Sequence, residues 1–140
     1  MDSSNLENLV KVGKLKREPC AQKEFDGLLR SGRTRLDDSR TASLSAEGRF
    51  DLAYNASHAL AMATLRWHGY RCDNRYIVFQ CLPHTLGLGP EVWRVLALCH
   101  ERRNRAEYEG ILDLDRQLEA DLEQAAELLL KRVSALGPVP

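Results

Sequence analysis

The sequence predicts an all-α protein, an up-and-down bundle of four to five main helices. Apolar residues recur at helical spacing over most of the chain, and helix-opening Ser, Asp and Pro residues and helix-closing Gly residues bracket those stretches. The one apolar run that resembles a strand, Tyr76 to Phe79, has no pairing partner elsewhere in the sequence. No internal repeat appears, and the 140 residues suit a single domain, with its core over about residues 5–136.

The elements follow in order. Ser4 and Glu7 form a capping box ahead of Leu6, Leu9, Val10, Val12 and Leu15, which predicts a short amphipathic helix up to Lys16. Pro19 suits a first helical position, so a second helix is expected through Phe25, Leu28 and Leu29 to about Ser31. Residues 32–42 are charged, turn-rich and without periodicity, and are expected to form a mobile surface loop. From Ser43 to about His68 runs a proline-free, alanine-rich segment that is apolar on most of its circumference, which predicts a central helix closed by Gly69. Its polar stripe is Asp51, Asn55, His58 and Met62. Residues 70–89 read as a short helix and a Gly-rich turn, and Pro90 opens a helix that ends near Glu109 or Gly110. A last helix, capped by Asp113 or Asp115, carries Leu118, Leu122, Ala125, Ala126, Leu129 and Val133 to about Leu136, followed by a frayed tail over 137–140.

Bulk charge excludes more than it selects. Twenty Lys and Arg balance twenty Asp and Glu, so no global field draws the protein to nucleic acid or to an anionic membrane, and any such role rests on a local patch. No apolar run approaches the roughly 18 residues of a spanning helix. The polar start lacks the charged-then-apolar order of a secretory signal, so no membrane association and a cytoplasmic location are expected.

The four cysteines, at 20, 72, 81 and 99, are too sparse for a disulfide scaffold and read as small buried hydrophobes. His68, Cys72, Cys81 and His84 follow an H-x3-C…C-x2-H order that resembles a zinc set, although no second knuckle supports it. The expectation is therefore no metal and no cofactor.

The functional clue is the run Arg102, Arg103, Asn104, Arg105, Ala106, Glu107, Tyr108. Arg103 extends the row Val92, Leu96, Cys99, so charge falls where a buried hydrophobe is expected. Trp93, Ala97, His100, Asn104 and Tyr108 form a second row, which suits either a polar groove or a two-fold subunit contact. A polar cluster on the packing side of a helix needs partners inside the fold or forms a groove, since an unpaired buried charge is costly. The sharpest expectation is that Asp51, Asn55 and His58 face Arg103, Asn104 and Tyr108 across one groove. The bland alternatives are a wet helix face for the first set, and for Arg103 and Glu107 an ordinary surface pair one turn apart.

The helix with Ala53, Tyr54, Asn55, Ala56 and His58 ending at Gly69, Tyr70, Arg71, a compact linker, and then a helix ending Arg103, Asn104, Arg105, Ala106, Glu107, Tyr108 together resemble the HEPN domains. These are helical bundles found with minimal nucleotidyltransferases in prokaryotic toxin-antitoxin modules and in RNA-targeting effectors. Their hallmark is an Arg followed by Asn or Asp, with a His farther along the helix at the position that Tyr108 holds here. The resemblance implies a homodimer, an RNA or nucleotide ligand and a nucleotidyltransferase-type partner protein. It also implies Arg103 as the phosphate ligand and Tyr108 in the place of the catalytic His, with His100 a candidate substitute. Tyrosine, with a pKa near 10, is a poor proton shuttle at neutral pH. The expected function is accordingly a degenerate HEPN-like domain that binds RNA or nucleotide phosphate. The alternatives are a non-catalytic dimeric interaction or regulatory module and a metal-independent endoribonuclease.

Overall fold

The computed structural model describes residues 4–140, which hold seven helices and one short antiparallel strand pair. The elements are α1 (Ser4–Lys11), β1 (Lys16–Arg17), α2 (Gln22–Ser39), α3 (Ala46–Trp67), β2 (Tyr70–Arg71), α4 (Arg75–Gln80), α5 (Leu82–Thr85), α6 (Pro90–Glu109) and α7 (Arg116–Ser134). Four long helices, α2, α3, α6 and α7, make the all-α bundle that the periodicity predicts. None of the described helices is long and apolar enough to cross a membrane.

The central place falls to α3. Ser45 caps it, its hydroxyl accepting from the Gly48 amide at 2.9 Å, and Gly69 at φ 87° leads the chain out of it. Ala56, Ala59, Ala61 and Ala63 are buried, so α2 and α7 approach closely, and Leu36, Ala56 and Ala126 form a small cluster where the three helices meet. On another side, Tyr54, Leu65, Phe79, Leu82, Leu96 and Cys99 join α3 to α4, α5 and α6 in the main core.

Three boundaries differ from the sequence expectation. Of residues 32–42 only the last three lie outside helix: α2 continues to Ser39, burying Phe25, Gly32, Leu36 and Ser39, with Leu29 half-buried between them. The core row 25, 29, 32, 36, 39 keeps perfect helical spacing, but glycine and serine hold two of its places and conceal the stripe. Pro19 does not open α2, because the carbonyls of Glu18 and Pro19 turn to accept from Arg66 at 2.7 and 2.9 Å. The first helix ends at Lys11; Gly13 at φ 79° reverses the chain, and Lys16 and Arg17 pair with Arg71 and Tyr70. Glu7, expected in a capping box, gives its carboxylate to Arg17 and to the Tyr70 hydroxyl, fastening α1 to this strand pair. The tail expected to fray makes two contacts: Trp67 Nε1 donates to the Gly137 carbonyl at 3.2 Å, and the Val139 amide donates to Gln22 Oε1 at 2.7 Å.

Close packing gives α2 an internal control. A Cβ at Gly32 would lie 2.5 Å from Leu60 Cγ and Cδ2, and Leu60 is fully buried, whereas a Cβ at Gly27 meets nothing within 4 Å. Gly32→Ala is expected to cost about 1–2 kcal/mol by overpacking. Gly27→Ala is expected to gain up to about 1 kcal/mol from helix propensity. Urea unfolding of both variants checks this, and effects of the same sign would contradict the packing described.

Candidate functional site

Helical spacing puts Tyr54, Asn55 and His58 on the side of α3 that meets α4 and α6. Asn74 opens α4, its side chain accepting from the Ile77 amide at 3.1 Å, and so places Arg75 and Tyr76 at the start of that helix. In α6 the stripe Val92, Leu96, Cys99 is buried as expected, and Arg103 continues it at the edge of the core.

These elements meet around Tyr54, which is fully buried. The guanidinium carbon of Arg75 lies 5.5 Å from the centroid of the Tyr54 ring and that of Arg103 lies 5.4 Å from it, both cations over the aromatic face. The Tyr54 hydroxyl is 2.8 Å from His100 Nδ1, and His100 Nε2 is 3.1 Å from Asn104 Nδ2. One imidazole thus bridges a core phenol and a half-exposed amide, donating through one nitrogen and accepting through the other. Arg75 donates to Asn55 Oδ1 at 3.0 Å and makes no ion pair among the described residues. Arg103 pairs with the exposed Glu107 at 3.3 Å. Beside the cluster opens a groove of about 490 Å³ lined by Tyr76, Arg94, Ala97, Leu98, His100, Glu101 and Asn104.

Electrostatics keep both imidazoles neutral. Burial, then Arg75, His100 and Arg103, push His58 from 6.5 down to about 4, and burial with the same two arginines lowers His100. Burial raises the Tyr54 hydroxyl, with Arg75 and Arg103 opposing. The positive charge of the cluster therefore resides on the guanidinium groups, and its neutral polar atoms serve as hydrogen-bond partners. Such a site can hold an anion by charge-assisted bonds from a pre-formed fork.

The sequence-predicted residues divide in two. Asn55, His58, His100, Arg103 and Asn104 are brought together. Tyr108 is 88% exposed one turn beyond, with no side-chain hydrogen bond among the described residues, and the Asp51 side chain is exposed while its carbonyl accepts from Asn55. The cluster thus forms without those two, and of the six residues expected to face one another across a groove only Asn104 lines the groove beside it. Arg75 was not singled out by any sequence pattern, because it stands at the start of a six-residue helix with no periodicity to mark it. Tyr54 read as one more member of an apolar face. Trp93 and Ala97 are half-buried, and Arg94 lies over Trp93 at 5.8 Å.

The zinc-like order does not close into a site. His68 Nε2 bonds the Thr85 carbonyl, His84 Nδ1 faces Asn5 Nδ2, the Cys72 sulfur engages Asn74, and burial pushes Cys81 to about 12. Among the described residues, no group of three His, Cys, Asp or Glu side chains is placed to hold a metal ion. Comparison of the chain with family models, with curated proteins and with solved structures finds no match.

A pH effect follows from His58. The unfolded chain takes up a proton near 6.5 and the folded chain only near 4, so stability is complete above about pH 7 and falls as pH drops through that window. Between pH 6.5 and 5 the loss from this group is about 1.5 kcal/mol. His58→Gln is expected to flatten the profile in urea unfolding; an unchanged slope would show that His58 is free to protonate in the fold.

Proposed function

We propose that the groove beside Tyr54 binds the phosphate of RNA or of a nucleotide, in the manner of a degenerate HEPN-like domain. The observation that supports this most strongly is the pair of guanidinium groups over Tyr54, one of them with no carboxylate partner among the described residues, beside an open groove lined in part by an aromatic ring, Tyr76. Arg75 and Arg103 supply charge-assisted bonds to phosphate oxygens, while His100 and Asn104 supply neutral polar atoms. With Tyr108 outside the cluster, the position of the family's histidine contributes no proton shuttle. This favours binding over cleavage. Incubation with total RNA in EDTA, comparing wild type with Arg103→Ala, is expected to show binding without strong cleavage. Cleavage that disappears in the variant would instead assign a metal-independent endoribonuclease, with His100 its only imidazole hydrogen-bonded into the cluster.

A second reading, a dimeric interaction module, draws on Leu98 and Tyr76, which are 37% and 40% exposed beside the half-buried Ala97. In that reading the second row of α6 is a two-fold contact, as in HEPN homodimers, and a nucleotidyltransferase-type protein is the candidate partner. Sedimentation at tens of micromolar separates the readings, since a clean monomer would set the dimer aside.

A further inference from the structure

We infer that the groove reads the base of its ligand and selects guanine, on a free nucleotide or within an RNA strand. The inference rests on the proposed nucleotide-binding role and adds the base, because phosphate contacts position a nucleotide while base contacts select it. Arg75 and Arg103 stand beside the groove and not in its lining, whereas the Glu101 carboxylate is part of that lining. A carboxylate repels phosphate and accepts hydrogen bonds, so the groove suits the uncharged part of a nucleotide that presents N–H donors.

Its walls have the chemistry a base needs. Tyr76, with its ring 40% exposed, and the apolar Ala97 and Leu98 offer a surface for a flat aromatic ligand. The volume of about 490 Å³ falls among small-molecule sites, which run from roughly 300 to 1,000 Å³. Glu101 and Asn104 lie one helical turn apart on α6, which sets their Cβ atoms about 5–6 Å from one another. Asn104 spends one N–H on His100 Nε2 and keeps its second N–H. Arg105, at 3.3 Å, takes only Glu101 Oε1, in an exposed pair one turn apart that a ligand displaces at little cost. Together the two side chains present a donor beside a two-oxygen acceptor. Guanine alone among the four RNA bases has the matching edge, with the O6 acceptor beside the N1–H and N2–H donors. Asn104 donates to O6, and Glu101 accepts from N1–H and N2–H. Adenine and cytosine each have one donor group on that edge and uracil has one between two acceptors, so each sets a lone pair against the carboxylate. Stacking on Tyr76 accepts any base, so the ring supplies affinity and the α6 edge supplies the choice.

The test uses the full chain, the 5′-monophosphates of guanosine, inosine, adenosine and uridine, and a short oligouridylate with or without one central guanosine. The guanosine nucleotide is expected to bind at least about ten-fold tighter than those of adenosine and uridine, with inosine between, since inosine lacks only the 2-amino donor. Glu101→Gln is expected to cut that preference below about three-fold, because the amide turns an N–H toward the donors of the base. Arg105→Ala, which removes only the surface partner of Glu101, is expected to keep the preference. Guanosine nucleotide favoured while the two RNAs bind alike marks a free nucleotide as the ligand; preference for the guanosine-bearing RNA marks a strand, and either supports the inference. Equal binding of the four nucleotides, or a preference that survives Glu101→Gln, overturns it; if binding is still lost in Arg75→Ala, the phosphate site stands without it. A guanine preference that Glu101→Gln removes but that neither Arg75→Ala nor Arg103→Ala weakens supports the base site and sets the phosphate role aside. Absence of binding by every probe overturns both.

Discussion

Arg66→Met is expected to lower stability by about 3 kcal/mol, the largest loss of any single substitution considered. The Arg66 side chain is 1% exposed, yet every direction of its fork is occupied. It donates to both oxygens of Glu24, at 3.0 and 3.2 Å, and to the carbonyls of Glu18, Pro19 and Tyr70. These contacts join the end of α3 to the start of α2 and to β2, and they explain why the chain before α2 leaves helical geometry. Methionine keeps much of the volume but leaves three carbonyls without this donor and Glu24 with Arg71 alone, at 2.6 Å. Glu24 is 33% exposed and water reaches it, so the loss falls at the lower end of the range for a broken buried pair. For a domain of this size the melting temperature should fall by roughly 10 °C. Glu24→Gln should cost less, because its amide oxygen still accepts. The Arg66 bond is the first cause holding Glu24 below its ordinary 4.5. Its contribution is therefore present above about pH 4.5 and lost as pH falls through the lower folded value, an acid-side loss that Arg66→Met reduces and that Arg71 partly retains. Thermal melts of the three proteins at pH 7 and pH 3.5 check both statements; a shift under about 2 °C for Arg66→Met would contradict them.

The second large effect concerns ligand rather than fold. Arg75→Ala and Arg103→Ala are each expected to weaken phosphate binding by about ten- to a hundred-fold, at about 1.5–3 kcal/mol per charge-assisted contact. Stability should fall by only about 1 kcal/mol in each, because Arg103 is partly exposed in a surface pair and Arg75 bonds the half-buried Asn55, while each also loses its place over the Tyr54 ring. The two contacts share Tyr54, so the double variant should depart from additivity in binding. Tyr108→Phe should leave binding unchanged, because its side chain stands outside the cluster. Binding isotherms alongside urea unfolding separate the effects, and equal losses for Tyr108→Phe and Arg103→Ala would move the site to the end of α6.

How far the sequence could be read depended on what each residue shows of its burial. The central helix was legible because alanines and aromatics cover it nearly all round, and α6 because Pro90 and Gly110 mark its ends. The second half of α2 was hidden: Gly32 and Ser39 are core positions whose side chains do not announce it, and five charged residues surround Leu36. No local pattern marks Arg66, since its partners Glu18 and Glu24 lie far away in sequence. Within the candidate site, Arg103, His100, Asn104, Asn55 and His58 were legible as polar residues on packing faces. Arg75 depends on how a six-residue helix turns against α3, a tertiary fact that no local spacing carries. Tyr108 was placed with the site by periodicity, but its side chain stands in solvent in the last turn of α6.

The most direct test of the central claim is an NMR titration of the labelled protein with adenosine 5′-monophosphate, following backbone amides, arginine side chains and histidine rings. The account predicts that the largest shifts fall together on Asn55, Arg75, Tyr76, His100, Arg103 and Asn104, and that they vanish in Arg75→Ala. Shifts that are absent, scattered over the surface, or centred on Tyr108 with the Tyr54 cluster unmoved would contradict it.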